Sequence, residues 1–411
     1  MFFYYVQTEI TTWLEHKNLE NGVEMRNRKL ESFNFNIAIT LLLLFCVSCF
    51  AIYAAQQTGQ YGTNFVLRQA IWYGIGAVII SIAMRPDLDQ LNQFTWYFYG
   101  FNILLLILLI IAPSSIAPLK NNAKSWFVLP GIGSIQPSEF MKIALVLALS
   151  KVITKHNEAN PSRDMRSDIA LILKLSATLF VPILLVMQQP DLGTTLVMVF
   201  LFFTMLFISG ITFKLLIPIF SSIIIIGAGL IYMVLYHAPI LEKYLKVQAY
   251  QFNRIYAWFK PEDYAGSLSY NYMQVLKAIG SGQIVGRDVS QGAVYVPEKH
   301  SDFIFSAIGE NYGFLGTSCV LLLFMLLIYH IIMVAHHTKE VFATYICTGV
   351  IAIILFHVLE NVGMCIGMLP ITGIPLPFIS YGGSSLMSSM FLIGLILNIS
   401  YRSKVYMFDQ Q

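Results

Sequence analysis

Charge is what this chain has least of. Only 11% of its 411 residues are Asp, Glu, Lys or Arg, against about a quarter in an ordinary soluble domain, so a water-soluble globule is excluded. The same scarcity of charge excludes nucleic-acid binding, which needs polar, charge-rich sequence, and the net charge of +3 is too small to specify a partner. Disorder is excluded as well, because 57% of the residues are hydrophobic, with 30 Phe, 22 Tyr and 17 Met among the larger ones. Cysteine is scarce, and Cys46, Cys49, Cys319, Cys347 and Cys365 all fall inside apolar runs. The C-x-x-C pair Cys46 and Cys49 has no histidine partner, and reads as small apolar packing rather than redox or zinc chemistry. A P-loop, a strand-borne G-x-G-x-x-G, an H-E-x-x-H helix and an EF-hand loop are all absent, so soluble nucleotide and metal machinery is not expected. The first 33 residues hold Glu9, Glu15, Glu20 and Glu24, with no basic start and no small-residue cleavage site. They are not a signal peptide.

What is present is a series of apolar runs of roughly 18 to 25 residues, the length that crosses about 30 Å of hydrocarbon at about 1.5 Å per residue. They are placed near 34–55, 64–84, 94–113, 138–155, 169–188, 192–210, 212–236, 303–335, 341–366 and 384–401. The fold class expected is an all-α polytopic membrane protein of about ten transmembrane helices. The fourth run carries Glu139 and Lys142 and is assigned on its length and apolar tail. The domains expected are an N-terminal extension (1–33), a membrane domain (34–401) and a short tail (402–411). A long loop, 237–301, lies between helices seven and eight. Phe2, Phe3, Val6, Ile10, Trp13 and Leu14 recur at roughly helical spacing in the extension, as in an amphipathic helix lying on a membrane surface; the alternative is a frayed tail.

Lys and Arg in short loops stay on the cytoplasmic side. With the N-terminus inside, that side collects Lys17, Arg26, Arg28, Lys29, Arg85, Lys151, Lys155, Arg163, Arg166, Lys214, Lys339, Arg402 and Lys404. The short outer loops hold Lys120 and Lys124. Both termini are therefore expected in the cytoplasm, and the long loop is expected outside the cytoplasmic membrane; its length exempts it from the charge rule.

Polar residues at a membrane are expensive, and so mark candidate sites. Four helices begin on the outer side, each with a polar start: Gln136-Pro137-Ser138-Glu139, Gln189-Pro190-Asp191, His300-Ser301-Asp302 and Gly382-Gly383-Ser384-Ser385. One at a time these are ordinary caps. Together, four helix N-termini could surround a phosphate. The double glycine lets backbone approach a ligand, or simply makes a tight turn. Glu139 and Lys142 stand three apart on one helix face, as an ion pair that something uses or as a brace between helices. His357 and Glu360 share a face of the ninth helix and are expected to satisfy each other or a neighbour. Lys174 is close enough to the inner boundary to snorkel. In the long loop, Tyr244, Tyr250, Tyr256, Trp258, Tyr264, Tyr270 and Tyr272 alternate with Arg254, Lys260 and Lys277. That composition suits a sugar-like ligand, and equally an interfacial aromatic belt.

Three stretches together resemble the SEDS family, the RodA, FtsW and SpoVE group of bacterial cell-wall polymerases. They are Ser125-Trp126-Phe127 through Gln136-Pro137-Ser138-Glu139-Phe140-Met141-Lys142, Val296 through Phe305, and Pro375 through Ser385. The resemblance covers about residues 25 to 405. It implies a GT-C-like, ten-helix glycosyltransferase that polymerises lipid II into peptidoglycan strands on the outer face. The family's essential acid, in its His-Thr-Asp-Phe-Ile-Phe motif, maps to Asp302; Ser301 stands where Thr is usual and keeps the hydroxyl. Gln136, Glu139 and Lys142 match the family's polar helix start, and Arg254 resembles a substrate-binding arginine of its outer loop. Gly373-Ile374-Pro375-Leu376-Pro377-Phe378 is more similar to the RodA branch, of elongation and cell shape, than to the FtsW branch of division. The implied partner is a class B penicillin-binding protein.

The chemistry is consistent with one carboxylate. A sugar hydroxyl attacking the anomeric carbon of a sugar diphosphate needs a base, for which Asp302 is the candidate. The departing diphosphate needs its charge stabilised. Lys142, Arg254, Lys277, Glu139, Gln136, His300, Ser384 and Ser385 complete the expected substrate-binding set. A single base with direct displacement predicts inversion. No cofactor is identified; a divalent cation, Mg or Mn, is compatible with a diphosphate, yet no carboxylate cluster marks a metal site. Rival readings are a flippase for the lipid-linked precursor, which would want charges near the midplane and an inverted repeat, and a noncatalytic scaffold, which would not need Asp302, Lys142 and Arg254 together.

Overall fold

The computed structural model describes residues 33–57, 59–60, 62–119, 123–129, 133–162, 164–245, 249–259, 261, 269–287 and 294–408. The amphipathic extension expected at the N-terminus lies outside them. Each expected span is met by a helix: α1 (Phe35–Gln56), α2 (Phe65–Ala83), α3 (Leu88–Ile111), α4 (Pro137–Ala159), α5 (Met165–Met187), α6 (Leu192–Ile208) and α7 (Phe213–Leu245). In the long loop lie α8 (Ala249–Phe259) and α9 (Tyr270–Ser281), and then α10 (Ile304–His337), α11 (Val341–Cys365) and α12 (Gly383–Phe408) complete the bundle. Eight of these helices are long and apolar enough to cross a membrane on their own sequence. Of the other two expected spans, α6 is short at 17 residues, and α4 is charged. The chain is an all-α polytopic membrane protein.

The ends of the helices follow from capping chemistry. The Asn34 and Asn64 side chains accept from the Ile37 and Leu67 N–H groups at the starts of α1 and α2. Asp191 does the same for Thr194 at α6, at 3.0 Å. Lys124, one of the two basic residues expected in the outer loops, donates to the Ile110 and Ala112 carbonyls, where a cation is favoured at the C-terminus of α3.

Helix α4 is the centre of the bundle: α3, α5, α6, α11 and α12 all pack on it. Its residues from Met141 to Ser150 are buried almost without interruption. This explains how a span carrying Glu139 and Lys142 survives in a bilayer, since its charges face neighbouring helices rather than lipid. Helix α7 is the opposite case. It lies at the edge, exposes Ile224 and Ile225 at about 70%, and is broken at His237, where the backbone leaves helical geometry.

Two features are additions to the expected plan. The loop before α4 folds into an antiparallel hairpin of β1 (Phe127–Leu129) and β2 (Gly133–Ile135), with Val128 opposite Ser134. The long loop is not plain loop, since α7 continues into it and α8 and α9 form within it. Trp258 and Tyr272, expected to contact a sugar or lie in an interfacial belt, both donate to the Gly367 carbonyl just past α11, at 3.0 and 3.3 Å. These two rings fasten the loop to the bundle.

Candidate active site at the start of α10

Asp302 stands two residues before α10, in the turn formed by residues 297–303. Two sets of hydrogen bonds fix its backbone. The buried Asn361 amide of α11 donates to the Asp302 carbonyl at 2.7 Å and to the Ile374 carbonyl at 2.8 Å, so one side chain clamps both strands of chain around the acid. On the other side, the Ser380 hydroxyl donates to the Ser301 carbonyl at 2.7 Å, while the Tyr381 N–H donates to the His300 carbonyl at 3.0 Å. His300 stacks on Phe65 of α2 with ring centres 4.3 Å apart. Burial holds its imidazole below the usual value, with the Glu298 carboxylate opposing.

The Asp302 side chain is half-buried. Burial, reinforced by the negative charge of Glu298, pushes its carboxyl up to about 7, and the nearby Arg254 guanidinium opposes that rise. Arg254 comes from α8, and its Nη1 donates to the Thr372 carbonyl at 3.5 Å. The next residue, Gly373, has φ +77°, and a Cβ there would lie 3.3 Å from Asp302 Oδ2. A side chain there would press on the carboxylate, which would have to give by a few tenths of an ångström. Gly373→Ala is expected to cost about 1–2 kcal/mol of backbone strain and, by pushing the carboxylate aside, to lower activity about tenfold, the scale of small misplacements of a reacting group. The matched control is Gly59→Ala, also at positive φ but in open space. Thermal melts should show similar losses for both, with activity falling only for Gly373→Ala.

The other helix starts come together with this turn. The Gln136 N–H donates to the Ser384 hydroxyl at 3.0 Å, and Ser384 donates on to the Ser134 carbonyl. The Gln136 amide donates to Asp191 Oδ2 at 2.8 Å, which Thr194 also reaches at 2.7 Å. The starts of α4, α6 and α12 are therefore tied to one another, and the loop before α12 is tied to the start of α10. At α6 the anion satisfying the helix N-terminus is Asp191 itself, so capping accounts for that end. The room left by Gly383 is filled from within the protein: a Cβ there would meet the Trp72 ring at 2.7 Å. Ser385 is half-buried and Lys277 is exposed on α9.

A third group lies deeper. Lys142 is 2% exposed, forms an ion pair with Glu139 at 2.9 Å, and lies 3.0 Å from His357 Nε2 on α11. His357 Nδ1 lies 2.8 Å from the Ile353 carbonyl. A carbonyl only accepts, so Nδ1 carries the hydrogen and Nε2 is left to accept from Lys142. Ser388 of α12 donates to Glu139 Oε2 at 2.7 Å. His357 thus finds a neighbour, Lys142, on another helix. Behind the Asp302 turn, the fully buried Lys299 pairs with Glu310 of α10. Glu310 also accepts from the Val294 N–H at 2.7 Å, so this pair pins the segment leading to Asp302 onto the helix that follows it.

Of the expected site residues, the structure gathers Asp302, Arg254 and His300 around one turn, and Gln136 and Ser384 into the adjoining junction. Glu139 and Lys142 form a separate enclosed cluster. Asn361 and Gly373 were not among the expected site residues. The signal for Asn361 was visible, a carboxamide inside an apolar span; that for Gly373 needed the positive φ. Among the described residues, no group of three or more His, Cys, Asp or Glu could hold a metal ion.

Comparison with known proteins gives the chain's family and fold. The profile of the FtsW, RodA and SpoVE cell cycle proteins matches residues 29–405. Stage V sporulation protein E of Bacillus subtilis is 32% identical over 380 residues, covering 90% of this chain and 96% of that protein. The peptidoglycan glycosyltransferase MrdB of Escherichia coli is 30% identical over 371 residues, covering 89% and 93%. A chain from a structure described as the structural coordination of polymerization and crosslinking by a peptidoglycan synthase complex has the same fold. Its TM-score is 0.73 at 22% identity, over 90% of this chain and 98% of that one. With a match over nearly its whole length, the chain belongs to the FtsW, RodA and SpoVE family, the SEDS proteins.

Proposed function

We propose that the peptidoglycan glycosyltransferase activity of this chain runs at Asp302, which takes the proton from the attacking sugar hydroxyl as that oxygen displaces lipid diphosphate from the anomeric carbon of lipid II. The bond formed is the glycosidic C–O bond, the bond broken is anomeric carbon to diphosphate oxygen, and the proton goes to Asp302. Direct displacement inverts the anomeric centre. Arg254, beside Asp302, and Lys277, exposed on α9, are the cations assigned to the diphosphate. The enclosed Lys142 acts at a distance by bracing α4 against α11. The observation that carries this reading is the half-buried carboxylate at the start of α10, held near neutrality beside a guanidinium. Its Asp302 end faces outward and both termini lie in the cytoplasm, as the crowding of Lys and Arg at the opposite end favours.

The branch assigned is the RodA-like one, of elongation and cell shape, on the Gly373–Phe378 sequence; an FtsW-like division role is the alternative. The partner assigned is a class B penicillin-binding protein that crosslinks the product strands. The fold neighbour from a complex that polymerises and crosslinks supports this.

Purified protein given lipid II, alone and with candidate class B transpeptidases, is expected to yield glycan strands resolvable by length. Folded protein that yields none under either condition overturns the reading. The pH dependence is a second check. A base must be deprotonated to act, so kcat/KM is expected to rise with pH along a limb centred near 7 and to level off above it. A profile flat from pH 5.5 to 8.5 would remove Asp302 as the base.

A further inference from the structure

The far end of α4 carries a polar cluster that the reaction does not use. A cavity of about 180 Å³ opens there between α3, α4 and α5, lined by Trp96, Lys151, Val152, Lys155, His156, Ala159 and Lys174. Lys151 and Lys155 stand one turn apart on α4, and Lys174 reaches in from α5. Lys151 is 6% exposed and donates to the Asn92 carbonyl. Lys174 Nζ lies 3.2 Å from His156 Nδ1, itself a basic group, whose Nε2 lies 2.9 Å from the Ser167 hydroxyl. Among the described residues none of these lysines is in an ion pair. No acid among the described residues lines the cavity: Asp168 accepts from the Thr212 N–H at 3.0 Å and its charge reaches His156, Asp89 and Glu158 are exposed, and Glu139 pairs with Lys142. Three ammonium groups drawn to one wall repel one another and invite an anion.

The depth of the cavity says which anion. Trp96 and Lys174 lie eight and nine residues from the starts of α3 and α5, and Lys151 eight before the end of α4. At about 1.5 Å per residue this is about 12 to 14 Å from the helix ends, inside the hydrocarbon but within reach of the headgroups for lysines that snorkel. Trp96, which lines the cavity and is 44% exposed, offers an apolar ring beside the cations, which a free phosphate would not use and an acyl chain would.

We propose that this cavity binds the phosphodiester headgroup of an anionic phospholipid in the leaflet opposite the Asp302 end, held by Lys151, Lys155 and Lys174. The test uses the full chain in uncharged detergent, with thermal unfolding followed as phosphatidylglycerol, phosphatidylcholine or inorganic phosphate is added. Phosphatidylglycerol is expected to raise the melting temperature, and phosphatidylcholine and phosphate to leave it unchanged. Lys155→Gln with Lys174→Gln, both exposed and removable without opening the core, should weaken the apparent affinity for phosphatidylglycerol about 30-fold, the effect of two lysines near a charged headgroup. Lys155→Arg with Lys174→Arg should retain it. Equal shifts from both lipids, or an unchanged shift in the glutamine variant, overturn the site. A shift produced by inorganic phosphate at the same concentration, and lost in that variant, overturns the lipid as its occupant.

Discussion

Asp302→Asn is expected to abolish glycan polymerisation from lipid II, a loss of at least about 100-fold, the lower end of what a positioned general base contributes. Its melting temperature should stay at or above that of the unchanged protein. The two halves of this expectation come from the same environment. Burial and Glu298 disfavour the charged carboxylate, so its affinity for a proton is higher in the folded protein than in the unfolded chain. Such a group weakens folding progressively as pH rises from the ordinary carboxyl value to about 7, and the effect is constant above that. An uncharged carboxamide of the same shape removes this cost, while the contacts of Asn361, Ser380 and Tyr381 to this turn go to backbone carbonyls and are untouched. Circular dichroism melts and gel analysis of the glycan product on the same preparation separate the two quantities. Asp302→Asn protein that polymerises lipid II at the original rate would sink the assignment of the base; inactive protein with a collapsed melt would instead make Asp302 a structural residue.

How much of this was legible in the sequence differs by element. Eight of the ten spans were, because crossing a bilayer leaves a long run of apolar residues that needs no partner to be seen. The central position of α4 was not: its charges argue against a lipid-facing helix, but only the packing of α3, α5, α6, α11 and α12 shows where they are sheltered. Strands β1 and β2, three residues each, leave too short a pattern to detect. Helices α8 and α9 were hidden for a different reason, since they lie beside the bundle and need no long apolar run. The Asp302 motif was readable because its residues are contiguous; its clamp, Asn361, is 59 positions away. The four helix starts were recognised as alike, but that Gln136, Ser384 and Asp191 bond one another depends on how the bundle closes. Sequence spacing could pair Glu139 with Lys142 on one helix; it could not add His357, 215 positions further on.

That last gap changes what Lys142→Met should do. The sequence alone predicts a loss of turnover or donor binding larger than any loss of stability. The structure gives the ammonium two buried partners within 3.0 Å and almost no exposure, so the expected result is a loss of about 3–5 kcal/mol of stability, typical of stranding one charge of a buried pair. The stranded charge is Glu139, left with the Ser388 hydroxyl in a site that cannot hydrate it. Replacing both partners by apolar residues, Glu139→Leu with Lys142→Met, should restore most of the melting temperature, because a buried pair and a packed apolar pair are often close in free energy. Melting temperature and lipid II kinetics measured on each variant decide between the roles. If Lys142 is a brace, the single variant melts early, the double variant recovers, and folded protein in both retains kcat/KM within about threefold. If Lys142 instead meets the diphosphate, kcat/KM falls about 100-fold in both variants, as for a lost hydrogen bond to a charged group in the transition state, and the recovery of stability in the double variant is not matched by any recovery of activity.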